Sequence, residues 1–508
     1  MNAHAPLPTT RGWLRANERD NVAVAIMPLA PGSEAAGATL TQAIPAGHKF
    51  AIAGVDAGAP VIKLGAPIGR ARVAIAPGEH VHEHNLAFAG QADRTTIGTR
   101  LQTPPQRVAH FDGFLRADGQ AGTRNLIGIL TSVNCSVTVA RRIAASFGPA
   151  RLRAFPHVDG VAAFGHSSGC GMAKAGEGID NLRRTIAGYA RHPNFGGVLL
   201  IGLGCEVNQV EGVLGSGGLM PGERLRVMTI QESGGTRAAI EEGIAEVEQL
   251  LEIAEADRRT RLPASKLTLG LQCGASDGYS ALTANPALGC AADMLVGAGG
   301  SAILSETPEI YGAENLLLER TEDPAVARRL IERIEWWERH AAQGGADLDN
   351  NPSPGNRAGG ITTILEKSLG AVAKSGSSPV RDVLRYGERV RVPGLSFMDT
   401  PGYDPCSATG QIAGGANLVA FTTGRGSVFG SKPAPTVKLG SNSELAARMG
   451  DDIDIDCGPL LSGETDHEAM GEAIFARLIE VASGRSTVSE EEGMGDDEFV
   501  PWVPGPMF

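Results

Sequence analysis

The stretch "RNLIGILTSVNCSVTVARRIAASF", residues 124–147, decides the fold class of this chain. An apolar run of strand length leads into a short polar loop, and apolar residues at helical spacing follow that loop. Three more segments, 196–214, 226–254 and 266–284, repeat this order of strand, glycine or cysteine loop, and helix. Because strands that alternate with helices are typical of parallel sheets, we predict a multidomain α/β protein with mainly parallel sheets.

Residues 21–90 follow a different rhythm, in which short apolar runs alternate with turn signals. This pattern predicts a small all-β domain at the N-terminus. The polar segment 91–109 contains a pair of adjacent prolines and is typical of a linker. We predict four regions: an all-β domain (1–95), a linker (96–110), an α/β middle domain (111–258) and an α/β C-terminal domain (259–508).

The charge and apolar content of the 508-residue chain exclude several classes of partner. The formal net charge is −12, and no block of like charge resembles a nucleic-acid-binding tail, so we expect no nucleic-acid partner. No apolar run reaches membrane-spanning length, and the start has no apolar core typical of a signal peptide. We expect a cytoplasmic protein that does not bind membranes. The 7 cysteines include no CxxC pair, which favours reduced thiols.

The stretch "GEHVHEHN", residues 78–85, places His80, His82 and His84 at every second position. If the stretch is a strand, the three imidazoles project from one face. They then form either the polar outer face of an edge strand or a surface that binds a metal or a substrate. Imidazole ligands suit iron, zinc or copper, and His48 in "GHKF" is a further candidate of the same kind.

Cys135, Cys205 and Cys273 each follow a predicted strand of the α/β part. Parallel sheets bind ligands at the carboxyl ends of their strands, so these thiols are candidate metal ligands, although a single cysteine is more often a small buried residue. His166 and Cys170 in "GHSSGCG" lie four residues apart and are expected to be close. We assign the remaining cysteines, Cys290, Cys406 and Cys457, to the core or to positions without a functional role.

Charged residues also follow predicted strands. Glu306 in "ILSETPEIYGAE" is either a site carboxylate or a helix N-terminal charge. Arg425 in "TTGRGS" is placed for bidentate binding of a carboxylate. Glycine-rich loops at 215–218, 233–236 and 297–301 lack the complete dinucleotide fingerprint and are weak nucleotide signals.

Several long motifs together identify a family. "IPAGHKFAI", "VIKLGAPIGRA" and "GEHVHEHN" resemble the SAF domain, a β-clip-like fold, that opens the altronate and galactarate dehydratases. The strings "HSSGCG", "VLLIGLGCEVNQ", "LQCGASDGYSALTANPALG", "NPSPGNRAGGITTILEKSLG" and "FTTGRGS" resemble the middle and C-terminal domains of that family. The resemblance runs in order from about residue 20 to residue 485.

This resemblance implies dehydration of a sugar acid to a 2-keto-3-deoxy acid, by abstraction of the α-proton and loss of the 3-hydroxyl. It implies a divalent ion, Fe2+ or Mn2+, without a nicotinamide or a flavin. We expect a small-molecule sugar acid as the partner, and a homo-oligomer. The predicted site has catalytic residues His166, Cys170, Glu306 and Lys367, metal ligands His48, His80, His82, His84, Cys135, Cys205 and Cys273, and substrate-binding residues Asp277, Asn356, Arg357 and Arg425.

Alternatives remain at this stage. The scaffold suits another lyase, such as a sulfo-lyase acting on sulfolactate, or an iron–sulfur dehydratase that uses Cys135, Cys170, Cys205 and Cys273. A non-enzymatic sugar-acid sensor is a third reading. For the enzyme, we hypothesise that the active site lies where the β domain meets the strand-end loops of the α/β body.

Overall fold

The structure is a computed structural model that describes residues 12–90 and 92–507. Within residues 12–90 the regular elements are strands only, which confirms the predicted all-β N-terminal domain. Strands β1, β2, β5 and β8 form an antiparallel sheet, β6, β7 and β9 form a second sheet, and β3 and β4 form a hairpin. The strands are β1 (Trp13–Leu14), β2 (Val22–Ala25), β3 (Glu34–Ala35), β4 (Ala38–Thr39), β5 (Lys49–Ala51), β6 (Pro60–Lys63), β7 (Ala66–Ala71), β8 (His80–Val81) and β9 (Leu86–Ala87).

The middle part of the chain forms a four-stranded parallel sheet in the order β13-β12-β14-β15. The residues of β14, "FGGVLLIG", are all buried, as expected for a parallel strand covered by helices on both faces. A small antiparallel sheet, β11-β10-β16, joins the segments before and after this sheet. The elements are β10 (His110–Leu115), β11 (Ala121–Gly122), β12 (Leu126–Thr131), α1 (Val137–Ala145), α2 (Pro149–Leu152), β13 (Gly160–Phe164), α3 (Glu177–Ala190), β14 (Phe195–Gly202), α4 (Val210–Gly217), β15 (Leu225–Thr229), α5 (Thr236–Glu255) and β16 (Thr260–Pro263).

The C-terminal part forms a seven-stranded parallel sheet in the order β19-β20-β18-β17-β21-β22-β23. The chain builds outward from β17 to one side and then returns to build the other side, so the strand order reverses at β17. The strands are β17 (Thr268–Gly274), β18 (Ser301–Leu304), β19 (Val380–Leu384), β20 (Gly394–Met398), β21 (Leu418–Thr423), β22 (Thr436–Gly440) and β23 (Ile455–Asp456). The helices are α6 (Ala284–Gly297), α7 (Asn315–Leu318), α8 (Pro324–Gln343), α9 (Pro354–Ala358), α10 (Ile364–Ala373), α11 (Asp404–Ala413), α12 (Ser443–Arg448), α13 (Pro459–Ser462), α14 (His467–Ala482) and α15 (Val488–Glu491).

These two parallel sheets confirm the predicted fold class of an all-β domain followed by α/β domains. The predicted boundaries near residues 95, 110 and 258 stay predictions. Residues 92–109 contain no helix or strand and run along the C-terminal domain, where the Gly98 amide donates to the Leu318 carbonyl at 3.1 Å. No helix within the described residues is both long and apolar enough to cross a membrane.

The N-terminal domain docks on the C-terminal domain through buried charges. The Lys49 and Lys63 ammonium groups lie 2.9 and 2.8 Å from the two carboxylate oxygens of Glu366 in α10. The Thr363 hydroxyl also donates to the Ile68 carbonyl at 2.6 Å. Although burial alone raises it, the two lysines lower the pKa of Glu366 to about 2. A fully ionised carboxylate therefore holds the two domains together.

Candidate active site

The carboxyl edge of the C-terminal sheet gathers six titratable side chains, which we call the strand-end cluster. Its members come from the end of β17, the loop after β18, helix α10 and its C-terminal cap, and the start of α11. The strand order reverses between β17 and β21, and open α/β sheets bind ligands beside such a reversal. The cluster comprises Cys273, Glu306, Glu309, Lys367, Lys374 and Asp404.

Glu306 has the most unusual conformation in the cluster. Its backbone, at φ 71° and ψ 70°, lies in the left-handed region that non-glycine residues rarely adopt. The side chain is fully buried, and among the described residues neither carboxylate oxygen has a hydrogen-bond partner. Burial, and then the charge of Glu309, raise the pKa of Glu306 well above its usual range. Strained and unsatisfied groups of this kind concentrate at functional sites.

The two lysines of the cluster divide their partners. The Lys367 ammonium donates to the Glu309 carboxylate at 2.7 Å and to the Asn351 side chain at 2.8 Å. The Lys374 ammonium lies 2.8 Å from the Cys273 sulfur. Although burial alone raises it, Lys367 and Lys374 lower the pKa of Glu309, so this carboxylate stays ionised.

Asp404 forms the partly exposed side of the cluster. Its carboxylate lies against Gly274, where a Cβ atom would come within 2.2 Å of Asp404 Oδ2, so only glycine fits at the end of β17. Burial, and then the neighbouring Glu309 charge, raise the pKa of Asp404 to about 7. The cluster thus has an ionised carboxylate, Glu309, beside two carboxyl groups that hold protons more tightly.

Cys273, Glu306 and Glu309 can offer ligand atoms to one metal ion. One atom from each lies within 4.8 Å of the others, and no other trio of His, Cys, Asp or Glu within the described residues meets this criterion. The two unsatisfied oxygens of Glu306 are the feature that a cation would satisfy. Two carboxylates and a sulfur suit a borderline divalent ion such as Fe2+.

The predicted substrate-binding residues lie in loops after β17 and β21 and in helix α9, and their side chains differ in how many partners they have. The buried Asp277 carboxylate accepts hydrogen bonds from Ser280 and Ser441, and the Asn356 amide donates to the Ser276 carbonyl at 2.9 Å. Both therefore hold loops in place. The Arg425 side chain is exposed and has no hydrogen-bond or ion-pair partner among the described residues, which leaves its guanidinium available for a carboxylate.

The stretch 78–85 does not form the predicted extended strand. Only His80 and Val81 belong to β8, and a turn follows. The Asn85 side chain makes this turn, because its amide donates to the His80 carbonyl at 2.9 Å and its oxygen accepts from the His82 backbone at 3.0 Å. The prediction that three histidines alternate along one strand face is therefore wrong.

The turn nevertheless gathers all four predicted histidines at the docked surface. The ring centroids of His48 and His82 are 5.1 Å apart, and those of His80 and His84 are 5.7 Å apart. His48 Nε2 donates to the Ala358 carbonyl at 3.2 Å. Burial, and then the charge of His48, lower the pKa of His80 to about 3, so its ring is neutral, and its Nε2 lies 3.0 Å from His48 Nδ1. Their role as metal ligands stays a prediction.

Arg357 lies between the histidines and the strand-end loops. Its carbonyl accepts from His82 Nε2 at 3.0 Å, and its guanidinium pairs with Glu83. The N-terminal domain thus reaches the loop that carries Asn351 and Asn356, which agrees with a site at the junction of the two domains. Arg357 is already neutralised, unlike Arg425.

The other predicted residues lie in the middle domain. Cys135, Cys170 and Cys205 are exposed at the carboxyl edge of its sheet, whereas Cys273 is buried in the other sheet. His166 Nε2 donates to the Thr131 carbonyl at 3.1 Å and its Nδ1 accepts from the Ser168 amide at 3.2 Å. Both ring nitrogens are therefore engaged. A cavity of about 860 Å³ opens beside His166 and Cys170, and its lining includes no residue of the strand-end cluster.

Sequence reasoning missed Lys374 and Asp404 and did not choose Glu309 as a site residue. One signal for Lys374 was available, since it lies seven residues, or two helical turns, after Lys367 and so falls on the same helix face. Asp404 follows the strand "GLSFM" after a short loop, which is the position that drew attention to Glu306. The buried cysteines Cys406 and Cys457 confirm their assignment to the core.

Three family models match the chain in order. They are described as the altronate/galactarate dehydratase SAF domain (residues 11–89), the D-galactarate dehydratase/altronate hydrolase second domain (113–255) and the D-galactarate/altronate dehydratase C-terminal domain (264–507).

Curated relatives agree with these matches over nearly the whole chain. An altronate dehydratase of Escherichia coli K12 is 39% identical over 485 residues, covering 94% of this chain and 96% of the relative. An altronate dehydratase of Bacillus subtilis 168 is 34% identical and covers the same shares. A galactarate dehydratase (L-threo-forming) of Escherichia coli K12 is 35% identical and covers 98% of each chain.

Proposed function

The chain belongs to the altronate and galactarate dehydratase family, and we propose that it is a hydro-lyase that converts an altronate-type or galactarate-type sugar acid to a 2-keto-3-deoxy acid. The conformation and surroundings of Glu306 are the observation on which the proposed location of the site rests. Its strained backbone, its burial and its two oxygens without a hydrogen bond occur at the carboxyl edge of the C-terminal sheet, beside Cys273 and Glu309. We take the strand-end cluster as the reaction centre.

Cys273, Glu306 and Glu309 would hold the divalent ion, with Fe2+ or Mn2+ as the expected metal. When bound, such an ion supplies Lewis-acid stabilisation for the charge that develops on the substrate carboxylate. The Lys367 ammonium keeps Glu309 ionised and fixes its direction through the 2.7 Å contact. Lys374 holds the opposite side of the site, next to the Cys273 sulfur.

The remaining tasks fall to side chains at the open side of the cluster. Arg425 binds the substrate carboxylate, because its guanidinium is exposed and unpaired among the described residues and can form two parallel hydrogen bonds. Asp404 is the carboxylate of the cluster that is partly exposed, and it accepts the α-proton. The 3-hydroxyl leaves as water with the proton that Asp404 accepted from C2. A double bond forms between C2 and C3, and the resulting enol tautomerises to the 2-keto acid.

The test is turnover of a panel of hexonates and hexarates by anaerobically purified enzyme, assayed for 2-keto-3-deoxy acids. We expect turnover of one stereochemical series, and loss of both turnover and bound divalent metal in Cys273→Ser. Cys457→Ser is the matched control, because Cys457 is equally buried but lies away from the cluster. Wild-type enzyme that forms no keto acid from any member of the panel would overturn the proposed function.

A further inference from the structure

Cys135, Cys170 and Cys205 form a second group of candidate ligands, outside the strand-end cluster. We propose that these three cysteines ligate an iron–sulfur cluster at the carboxyl edge of the middle sheet. The proposal goes beyond the proposed function, which uses residues of the C-terminal sheet. It also differs from the four-cysteine set considered from the sequence, because Cys273 is buried in the other sheet.

The sheet topology places the three cysteines side by side. Cys170 follows β13, Cys135 follows β12 and Cys205 follows β14, and these strands are adjacent and parallel in the order β13-β12-β14. Neighbouring strands lie about 4.8 Å apart, so the three loops leave the same edge within about 10 Å of one another. Residues separated by up to 70 positions in sequence therefore share one surface.

Hydrogen bonds between the loops hold the three segments in contact. The Asn134 amide, next to Cys135, donates to the Ser168 carbonyl at 2.9 Å in the loop of Cys170. The Asn208 amide donates to the Gly169 carbonyl at 3.0 Å, and the Asn208 side chain donates to the Ser132 carbonyl at 2.9 Å. The loop of Cys205 is thus bonded to each of the other two.

Glu206 fixes the loop of Cys205 from inside. Its buried carboxylate accepts from the Ser132 hydroxyl at 2.5 Å and from the Leu203 and Gly204 amides at 3.1 and 2.7 Å. These bonds tie the loop to the end of β12, close to Cys135. The arrangement orders the three loops before any ligand is bound, which lowers the entropy cost of binding.

The three cysteines of this ordered base are accessible to solvent. All three cysteines are exposed, whereas the other four of the chain are buried or half-buried. Gly169, Gly171 and Gly204 flank Cys170 and Cys205 with φ of 99°, 64° and 123°, conformations that favour glycine and let the loops turn tightly. The Gln231 amide lies 3.5 Å from the Cys205 sulfur, as a donor to a thiolate would.

The spacing does not suit a single ion bound by all three sulfurs. A single ion with bonds of about 2.3 Å keeps its sulfur ligands within about 4.6 Å of one another. The three cysteine sulfurs do not all lie within 4.8 Å of one another, since the one trio within the described residues that meets this limit is in the C-terminal domain. A four-iron, four-sulfur cluster bonds each cysteine to a different iron and so spans a wider triangle.

Assembly of the iron–sulfur cluster requires iron and inorganic sulfide as co-reactants. Each thiol loses one proton when its sulfur bonds iron, so three protons are released, and two ferrous ions, two ferric ions and four sulfide ions form the cluster core. Three thiolates leave the fourth iron without a cysteine ligand. The cavity of about 860 Å³ that Cys170 lines gives a small molecule with an oxygen donor access to this position.

The experiment is anaerobic reconstitution of the full chain with iron and sulfide, followed by desalting and by analysis of iron and acid-labile sulfide. We expect about four sulfides per chain, with visible absorbance that dithionite bleaches. Cys135→Ser, Cys170→Ser and Cys205→Ser should each retain less than about a fifth of this sulfide. Cys290→Ser, at a half-buried position outside the group, should retain all of it.

Cys273→Ser separates this proposal from the proposed function, because it should lose turnover while its sulfide content stays at the wild-type level. Alkylation of the wild-type protein gives a readout that needs no variant: reconstitution should protect Cys135, Cys170 and Cys205 together from iodoacetamide, and removal of iron should expose them again. Wild-type protein without acid-labile sulfide, iron bound without sulfide, or full sulfide content in the three serine variants would each overturn the proposal.

Discussion

The carboxyl edges of the two parallel sheets carry similar side chains but treat their carboxylates in opposite ways. At the middle sheet, Glu206 is buried and accepts three hydrogen bonds from Ser132, Leu203 and Gly204. At the C-terminal sheet, Glu306 is buried with both oxygens unsatisfied. The Glu206 carboxylate therefore stabilises its loop, whereas the Glu306 carboxylate has only the Lys374 ammonium at 3.7 Å and accepts no hydrogen bond within the described residues. A position at the end of a strand therefore does not by itself define a reaction centre.

The largest expected effect is that of Glu306→Gln on turnover. The amide cannot serve as an anionic ligand, so we expect kcat to fall about a thousandfold, or about 4 kcal/mol in transition-state stabilisation. The melting temperature should stay near that of the wild type, because no hydrogen bond within the described residues is lost. Steady-state kinetics and metal analysis check this, and a variant with more than a tenth of wild-type kcat would remove Glu306 from the reaction centre.

Glu366 is a third buried carboxylate, and it is neutralised by two lysine ammonium groups. Glu366→Gln leaves Lys49 and Lys63 buried without a counter-ion, so we expect the free energy of unfolding to fall by about 3 kcal/mol or more. The lowered pKa of Glu366 makes this contribution complete above the ordinary value of 4.5, and it is lost as the pH falls toward about 2. Urea unfolding at several pH values should show the gap between wild type and variant closing over that range.

Glu206→Gln should lower the free energy of unfolding less than Glu366→Gln does. It should affect stability more than turnover. The amide presents N–H groups to backbone donors, so we expect a loss of about 2 kcal/mol in the free energy of unfolding. Burial alone raises the pKa of Glu206, but the Ser132 hydroxyl and the backbone amides lower it below its usual value, so an ionised carboxylate is the form that is replaced. An unchanged denaturant midpoint for Glu206→Gln would contradict the stabilising role that distinguishes Glu206 from Glu306.

The Arg425 guanidinium has no ion-pair partner among the described residues, whereas the Arg357 guanidinium is paired with Glu83. Arg425→Ala should raise KM for the sugar acid about tenfold to thirtyfold with a smaller change in kcat, because one charge-assisted contact is lost. Arg357→Ala is the matched control, since its guanidinium is occupied by Glu83, and its KM should change less than threefold, roughly 0.6 kcal/mol. Equal KM values for both variants would mean that exposure and pairing do not identify the carboxylate anchor.

The smallest expected effect concerns the histidines of the docked N-terminal domain. His82→Ala should lower kcat or metal affinity about tenfold, because the ring contacts both the other histidines and the Arg357 carbonyl. Glu83→Ala should change turnover little, since Glu83 is exposed and its ion pair is at the surface. Steady-state kinetics of both variants at saturating and limiting metal check this prediction. If His82→Ala is active while Glu83→Ala is folded but inactive, the role assigned to His82 is wrong.

The fold class and the strand-end positions of the important side chains could be predicted from local sequence patterns. Apolar runs followed by loops and amphipathic helices are local patterns, and the burial of β12, β14 and β17 follows from them directly. Cys273, Glu306 and Lys367 were predicted as site residues because they belong to such local patterns or to shared motifs, and they do lie together.

Only the tertiary structure decided how these positions are grouped. Lys374 and Asp404 join the cluster because the end of α10 and the start of α11 lie against the end of β17, in contacts between residues 101 and 130 positions apart. Cys135, Cys170 and Cys205 separate from Cys273 because two different sheets carry them. The turn at Asn85, and not a strand, gathers the histidines. Strand order and domain docking are set by burial and hydrogen bonding between distant segments, and local periodicity carries no information about them.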